Sequence, residues 1–397
     1  MTVGFTDDEI RRLRAETPGC AEVTHFNNAG ASLPPAPVLD AHLDHLRREA
    51  LIGGYEAQEE AQARLDAVYA AAAHLIGGSG PDEIALFENA TRAFDMALYG
   101  VTLEPGDVIL TSMAEYHSMF VTYLHRARRG VRVEVVPSDA TGQLDVSALR
   151  KRVDEHVRLI AMAHMPTNGG LVQPAEAVGE VAREAGVFFL LDATQTIGQI
   201  PLDVRRLGCH ALAGTSRKYL RGPRGVGVLW VAREWIERLE PPLMEGHAAE
   251  WVEPDRYVIR PDAKRFEVWE SNVGARLGFG AAIAYAQALG LPRIWARVQM
   301  LAATLRARLA EVPGVGVHDL GAMRGGIVSF TVRDVDAARV KAALRAARIN
   351  VTVSPARGTL LDMRARGLRE VVRASVHYYN TDEEIDRLVA EVARLAR

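Results

Sequence analysis

A lysine set among small hydroxyl residues and arginines is the first stretch here that could do chemistry. It reads Gly214-Thr215-Ser216-Arg217-Lys218-Tyr219-Leu220-Arg221-Gly222-Pro223-Arg224-Gly225. A lysine amine becomes a nucleophile or a base only once it has lost its proton, which burial or neighbouring cations bring about. Alone, the stretch reads equally well as a basic surface loop. Four further stretches bear on the choice. Asp192 closes the apolar run Val187-Phe188-Phe189-Leu190-Leu191, where an acid needs a partner because an unpaired buried charge is costly. Asn89-Ala90-Thr91-Arg92 follows Ile84-Ala85-Leu86-Phe87-Glu88. Small and hydroxyl residues at a helix start offer N–H groups to a phosphate, or serve as a plain N-cap. Tyr116 and His117 follow Val108–Thr111, where a ring could stack on a flat ligand or simply pack. His164-Met165-Pro166-Thr167-Asn168-Gly169-Gly170 makes a polar loop after Leu159–Ala163.

An aromatic face, an acid at a buried strand end, a helix start suited to phosphate and a lysine beside Arg217 together match the needs of pyridoxal phosphate (PLP). The lysine would form the Schiff base. The acid would keep the pyridine nitrogen protonated, so that the ring accepts electrons from a substrate's α-carbon. Amides, hydroxyls and an arginine would take the phosphate.

These residues need a scaffold that gathers strand ends. Short apolar runs alternate with helical patterns from Ile84 to Leu191: 84–87, 108–111, 131–136, 159–163 and 187–191 as strands, with helices between them. That alternation predicts an α/β fold with a mainly parallel sheet covered on both faces, which binds ligands at its strand carboxyl ends. The run Val226–Val231 predicts a further strand after the lysine. The N-terminal part predicts helices over 6–16, 37–51 and 56–75, with a turn-rich loop at 25–35. The last quarter predicts an α+β segment of its own, with strands near 325–332, 350–353 and 371–376 and a closing helix from Asp382. We expect a large domain over 23–285 and a small one made of 1–22 and 286–397.

The chain has 397 residues, 48% of them hydrophobic and 24% charged, with a net charge of −3. That balance gives no global case for a nucleic-acid or anionic-membrane partner. Cys20 and Cys209 provide neither a metal spacing nor a disulfide framework. No apolar run nears the roughly 20 residues of a membrane helix, and the acidic start lacks a secretory pattern. A cytoplasmic protein without a metal is the expectation. A nicotinamide dehydrogenase is disfavoured, because no Gly-x-Gly-x-x-Gly follows an early strand and Gly225-Val226-Gly227 leads into a strand.

From about Phe26 to Leu395 the sequence resembles the class V aminotransferase family of PLP enzymes. That group also holds cysteine desulfurases, selenocysteine lyases and isopenicillin N epimerases. The likeness rests on Asp192-Ala193-Thr194-Gln195, on Ser216-Arg217-Lys218 with Arg221-Gly222-Pro223-Arg224-Gly225-Val226-Gly227, and on Arg373-Ala374-Ser375-Val376-His377-Tyr378-Tyr379-Asn380-Thr381. It implies fold type I, with a seven-stranded sheet between helices and a small α+β C-terminal domain. It also implies a homodimer with shared active sites and a small amino-acid substrate. By position it assigns Lys218 to the cofactor and to the α-proton, Asp192 to the pyridine nitrogen and Gln195 to the phenolic side of the ring. Ala90, Thr91, Thr215 and Arg217 fall on the phosphate, and Arg373 on the substrate α-carboxylate. Asn27, Ala29 and Gly30 would line the substrate entrance. The ring-stacking position falls on Tyr116, where the desulfurases often have histidine. The contact to the ring hydroxyl falls on Thr167, or on Asn168 with a one-residue shift. Near Val268–Asn272 the usual Gly-Thr of the cross-subunit phosphate contact is missing.

The resemblance also implies that a desulfurase needs a mobile cysteine on the loop before the final strand. Here that loop is Ser354-Pro355-Ala356-Arg357-Gly358-Thr359-Leu360-Leu361-Asp362-Met363-Arg364, without cysteine, and Cys20 and Cys209 read as packing residues. The expectation is therefore a C–S lyase acting on a cysteine conjugate or sulfoxide by β-elimination, without an enzyme persulfide. Gly53-Gly54-Tyr55-Glu56 with Phe266–Asn272 adds a likeness to sulfoxide lyases. A class V aminotransferase, an amino-acid epimerase and a non-catalytic binding or regulatory protein are the alternatives.

Overall fold

The computed structural model of the chain describes residues 4–396; residues 1–3 of the expected N-terminal arm, and residue 397, lie outside it. Its centre is a seven-stranded sheet. In chain order the strands are β1 (Ile84–Phe87), β2 (Val108–Thr111), β3 (Arg132–Val135), β4 (Val157–Ala163), β5 (Phe188–Asp192), β6 (Ala211–Thr215) and β7 (Gly227–Val231). Their order across the sheet is β1-β7-β6-β5-β4-β2-β3. The pairs from β6 to β3 are parallel, while β7 runs antiparallel to both β6 and β1. The mainly parallel α/β expectation holds, with one reversed strand next to the edge.

The strands are apolar throughout because both faces are covered. Leu86, Leu110, Ile160, Phe189, Leu191, Leu212 and Val228 pack into one core. Ala85, Ile109, Leu159, Phe188, Leu190, Ala213 and Leu229 pack into the other. This follows from the two-residue alternation of strand side chains. Along the chain the first helices are α1 (Asp7–Ala15), α2 (Ala36–Ile52), α3 (Gly54–Leu75), α4 (Ala90–Gly100), α5 (His117–Ala127), α6 (Val146–Arg152) and α7 (Ala175–Ala185). The first core takes residues of α3 and α7, such as Val68 and Val181, and the second takes Phe94 of α4 and Tyr123 of α5. Gly53, at φ +104°, separates α2 from α3 where the sequence predicts a break.

The C-terminal part forms a four-stranded antiparallel sheet, ordered β8 (Val315–Val317), β9 (Ile327–Val332), β11 (Glu370–Ser375) and β10 (Thr352–Pro355). The strand expected at 350–353 divides in two. Ile349–Asn350 pairs in parallel with Thr24–His25 of the N-terminal arm, and Thr352 starts β10. The exposed hairpin of Ala249–Glu253 and Arg256–Ile259 has no counterpart in the sequence reading; most of its residues face solvent, so no burial pattern marks it. Among the described residues, no helix is long and apolar enough to cross a membrane, and no group of three or more His, Cys, Asp or Glu is placed to hold a metal ion.

Candidate active site

Five strand ends converge on one side of the sheet. Ala163 and Asp192 are register partners at the ends of β4 and β5, and Asp192 pairs with Ala213 of β6. Gly227, the first residue of the reversed β7, pairs with Thr215 on one side and Phe87 on the other. There the backbone of β7 meets the start of α4. A Cβ on Gly227 would lie 2.3 Å from the carbonyl carbon and oxygen of Asn89, so only glycine permits this approach. A cavity of about 440 Å³ opens over these ends. Asn89, Ala90, Thr91, Tyr116, Met119, Met165, Thr167, Asp192, Thr194, Gln195, Thr215, Arg217 and Lys218 line it.

The lysine loop is held by its own backbone. Ser216 N–H donates to Val226 O at 3.1 Å, Gly222 N–H to Ser216 O at 2.9 Å, and Arg221 N–H to Lys218 O at 2.9 Å. The Thr215 hydroxyl donates to Val226 O at 3.1 Å. Arg221 is an outer pin. It is buried at φ +63° and donates to Leu33 O at 2.8 Å, to the Thr17 hydroxyl at 2.6 Å and to the Tyr378 hydroxyl, with its guanidinium over the Tyr379 ring. It serves the framework and does not face the cavity.

Lys218 is buried, and burial pushes its amine well below the usual lysine range; the Arg217 and Arg373 charges act the same way, and Asp192 opposes them. Asp192, also buried, is pushed up by burial, against a hydrogen bond from Thr194 N–H at 2.8 Å and the Lys218 charge. The pair therefore favours a neutral amine, the form that can attack or accept a proton. At the other end, Asn89 caps α4 by accepting the Arg92 N–H at 2.9 Å. Among the described residues the N–H groups of Ala90 and Thr91 find no hydrogen-bond acceptor, which leaves them for an anion.

Arg373 reaches across from β11. One Nη donates to Thr167 O and to Thr167 Oγ1, both at 2.8 Å, and the other lies 3.5 Å from Asn27 Oδ1. Its Nε is buried without a partner. Among the described residues no carboxylate forms an ion pair with it, and burial lowers it to about 10. A buried cation with no counter-ion suits an anionic ligand.

The structure thus brings Lys218, Asp192, Tyr116, Ala90, Thr91, Thr167, Gln195, Thr215 and Arg217 around one space, with Arg373 behind Thr167. Of the two positions named for the ring-hydroxyl contact, Thr167 faces the cavity and Asn168 faces away. It does not line the cavity; its amide donates to Pro355 O at 3.1 Å, because the Pro166–Gly169 turn directs it toward β10. The N-terminal loop residues do not line the cavity either. They hold its lining, with Ala29 O accepting from Gln195 Nε2 at 3.2 Å and Gly30 O from Arg217. Gln195 Oε1 stays buried and unpartnered, a polar atom left for a ligand. Sequence reasoning missed Met119 and Met165, whose apolar type carries no signal, and Thr194, which lay inside a quoted motif.

The sequence model described as Aminotransferase class-V matches residues 24–388. The chain belongs to the class V aminotransferase family. Over 393 residues it is 29% identical to a "Probable cysteine desulfurase" of Pyrococcus abyssi, with 97% of each chain covered. Over 420 residues it is 30% identical to a "Probable cysteine desulfurase 2" of Mycobacterium leprae, covering 99% of this chain and 98% of that one. Among solved structures, the apo cysteine desulfurase of Thermococcus onnurineus NA1 superposes with a TM-score of 0.90 at 28% identity, covering 100% of this chain and 99% of that one. The cystine C–S lyase C-DES, in complex with its product cysteine persulfide, gives a TM-score of 0.85 at 25% identity over 95% and 99% of the two chains. The fold is that of fold type I, and the chain is a PLP-dependent enzyme. The cavity fits that cofactor: unpaired amides at the α4 start, an orphaned Gln195 oxygen and a buried lysine sharing the lining with an acid are the donors and acceptors it requires.

Proposed function

We propose that this enzyme works at the α-carbon of an amino acid, with Lys218 as cofactor lysine and proton carrier. The observation that carries this reading is the buried Lys218 sharing one cavity with Asp192, with the buried Arg373 guanidinium behind Thr167 and no carboxylate paired to it among the described residues. Bound PLP would supply an electron sink that makes the α-proton acidic. Asp192 would hold a proton on the ring nitrogen, and Tyr116 would press on the ring face. Ala90, Thr91 and Arg217 would take the phosphate, with Thr215 beside them. Arg373 would fix the α-carboxylate by its planar fork, directing the α-hydrogen at the Lys218 amine. We propose the same division into a large and a small domain, a homodimer, an amino-acid substrate and a cytoplasmic location.

Two readings of the step after proton loss each rest on an observation. The relatives' names conflict with an elimination that needs no persulfide, and the family match sits better with a class V transferase. The chain's own residues support β-elimination from a cysteine conjugate. The loop 354–364 has no thiol, and Asn168 ties it down through Pro355. Cys209 is buried just before β6, its thiol pushed up to about 12, and Cys20 is half-buried in the N-terminal arm, where burial pushes its thiol up. The C–S lyase C-DES shares the fold at 25% identity.

The experiment is a product assay on a panel of amino acids and S-substituted cysteines. Pyruvate and ammonia from a cysteine conjugate support the lyase. Stoichiometric conversion of the cofactor to its amine form supports the aminotransferase. Alanine with sulfur retained on the protein supports desulfuration. No change with any amino acid overturns the α-carbon reading itself.

A further inference from the structure

A second carboxyl lies buried beside Asp192. Glu115 sits in the turn between β2 and α5, immediately before Tyr116, and is 3% exposed. Its Oε2 accepts the Thr111 hydroxyl at 2.9 Å, and its Oε1 accepts the Tyr116 N–H at 3.0 Å. The Ala163 N–H is shared between both oxygens at 3.0 and 3.2 Å. Ala163 is the register partner of Asp192. One side chain therefore joins the end of β2, the end of β4 and the backbone of the cavity's aromatic residue.

Neither carboxyl has an ion-pair partner among the described residues. The titratable groups facing Glu115 are Asp192 from β5 and the buried Tyr123 hydroxyl from α5. Burial raises Glu115 to about 8, the Asp192 charge adds to this, and the three donors oppose it. His164, one residue past Ala163, is held neutral by burial, down to about 4, and supplies no compensating charge. Two neighbouring carboxyls in a low-dielectric interior do not both ionise unless a cation joins them.

We propose that Glu115 is a positioning residue for the cofactor: it fixes the Tyr116 edge of the cavity, and it loses its proton to solvent when a protonated pyridine ring settles on Asp192. Only the Glu115 O–H bond breaks. The ring's positive charge near the two carboxyls makes that loss favourable, and the resulting anion strengthens the hold of Asp192 on the ring proton. This rests on the cofactor alone and is independent of which bond the enzyme cleaves, so the amino-acid panel and the test below fail separately.

The test titrates the apoprotein with PLP by calorimetry at pH 7 in buffers of different ionisation enthalpy, which counts protons exchanged on binding. Wild type should release up to about one proton more per site than Glu115→Gln, since contributions from Lys218 and PLP are common to both. Between roughly pH 6 and 8, wild-type affinity should rise with pH relative to the variant, by up to about tenfold per unit. Equal proton counts and parallel pH profiles overturn the proposal, even if the variant is less stable. Should Glu115→Gln fail to fold, difference infrared spectra of wild type serve instead. A protonated-carboxyl band should disappear on PLP binding, and Thr111→Val should shift its frequency in the apoprotein. A band unchanged by PLP, or unmoved by Thr111→Val, overturns the proposal.

Discussion

Lys218 and Arg373 are both buried basic groups without a carboxylate in ion-pair contact among the described residues, and their environments make opposite demands. Burial pushes the amine toward its neutral form, whereas a guanidinium keeps its charge and suits an anion. Lys218→Ala should therefore lower turnover by roughly 10²–10⁴-fold or more, the scale of a lost general base. Its cofactor should also become removable by dialysis, which absorbance would follow. Arg373→Lys keeps the charge and loses the fork. Charge-assisted hydrogen bonds contribute about 1.5–3 kcal/mol, so KM for the amino acid should rise roughly 10- to 100-fold with a smaller change in kcat. An equal fall in kcat at constant KM would remove Arg373 from carboxylate binding. The lysine also leaves a thermodynamic mark. Its folded-state pKa lies below the ordinary value of about 10.4, so the unfolded chain binds more protons in the window between them. Stability of the apoprotein contributed by this group thus rises with pH through that window and falls toward neutral pH. Urea midpoints of wild type against Lys218→Met at pH 7 and 9 would check this: the wild type should gain on the variant at the higher pH.

At the level of elements, the site depends on how closely α4 approaches the sheet. Gly227→Ala would place a Cβ 2.3 Å from the Asn89 carbonyl, and the strain must move either β7 or the α4 start. Overpacking of this kind costs about 1–3 kcal/mol. We expect a lower Tm and a weaker PLP Kd, because the displaced amides are those of Ala90 and Thr91; thermal melts and a cofactor titration would read the two effects. Much of this geometry was legible in the sequence. Buried strands such as Phe188–Asp192 are apolar runs, and helix starts carry caps such as Asn89, so strand ends could be found and the residues after them inspected. Asp192 and the loop that carries Thr167 were reached that way, whereas Lys218 stood out by its own neighbours. Glu115 was not, because a carboxyl in a turn looks like any surface acid until its three donors are known. Thr167 and Asn168 could not be told apart in the sequence, because neighbouring residues in a turn face different ways and only the bond to the Pro355 carbonyl shows which way Asn168 points. The 249–259 hairpin was invisible since exposed strands lack a core-facing stripe.

At the scale of the whole molecule, an exposed groove of aromatic and acidic residues lies beside the site. Leu46 and Tyr55, from α2 and α3, lie with Trp269 around a groove of about 710 Å³ that also includes Glu88, two residues before Ala90. Tyr55 is 73% exposed and Trp269 62%. Large exposed aromatics clustered in one groove mark an interaction surface more often than scattered single residues do. A second copy of the chain is the occupant that the family resemblance implies. It would exclude water from the α4 end of the cavity, where charge on a phosphate needs a low dielectric to be held firmly. Burying the two rings and Leu46 would stabilise such a dimer through area removed from water, at roughly 25 cal/mol per Å². Trp269→Glu removes a large exposed ring, adds a like charge beside Glu88 and Glu270 of that groove and leaves every cavity-lining residue untouched. Sedimentation of wild type should give twice the chain mass, and the variant should shift toward the single-chain mass with a weaker PLP Kd and an unchanged far-ultraviolet spectrum. A wild type that sediments as one chain and still binds PLP tightly would show that the groove is not a subunit contact and that the cavity is complete within one chain.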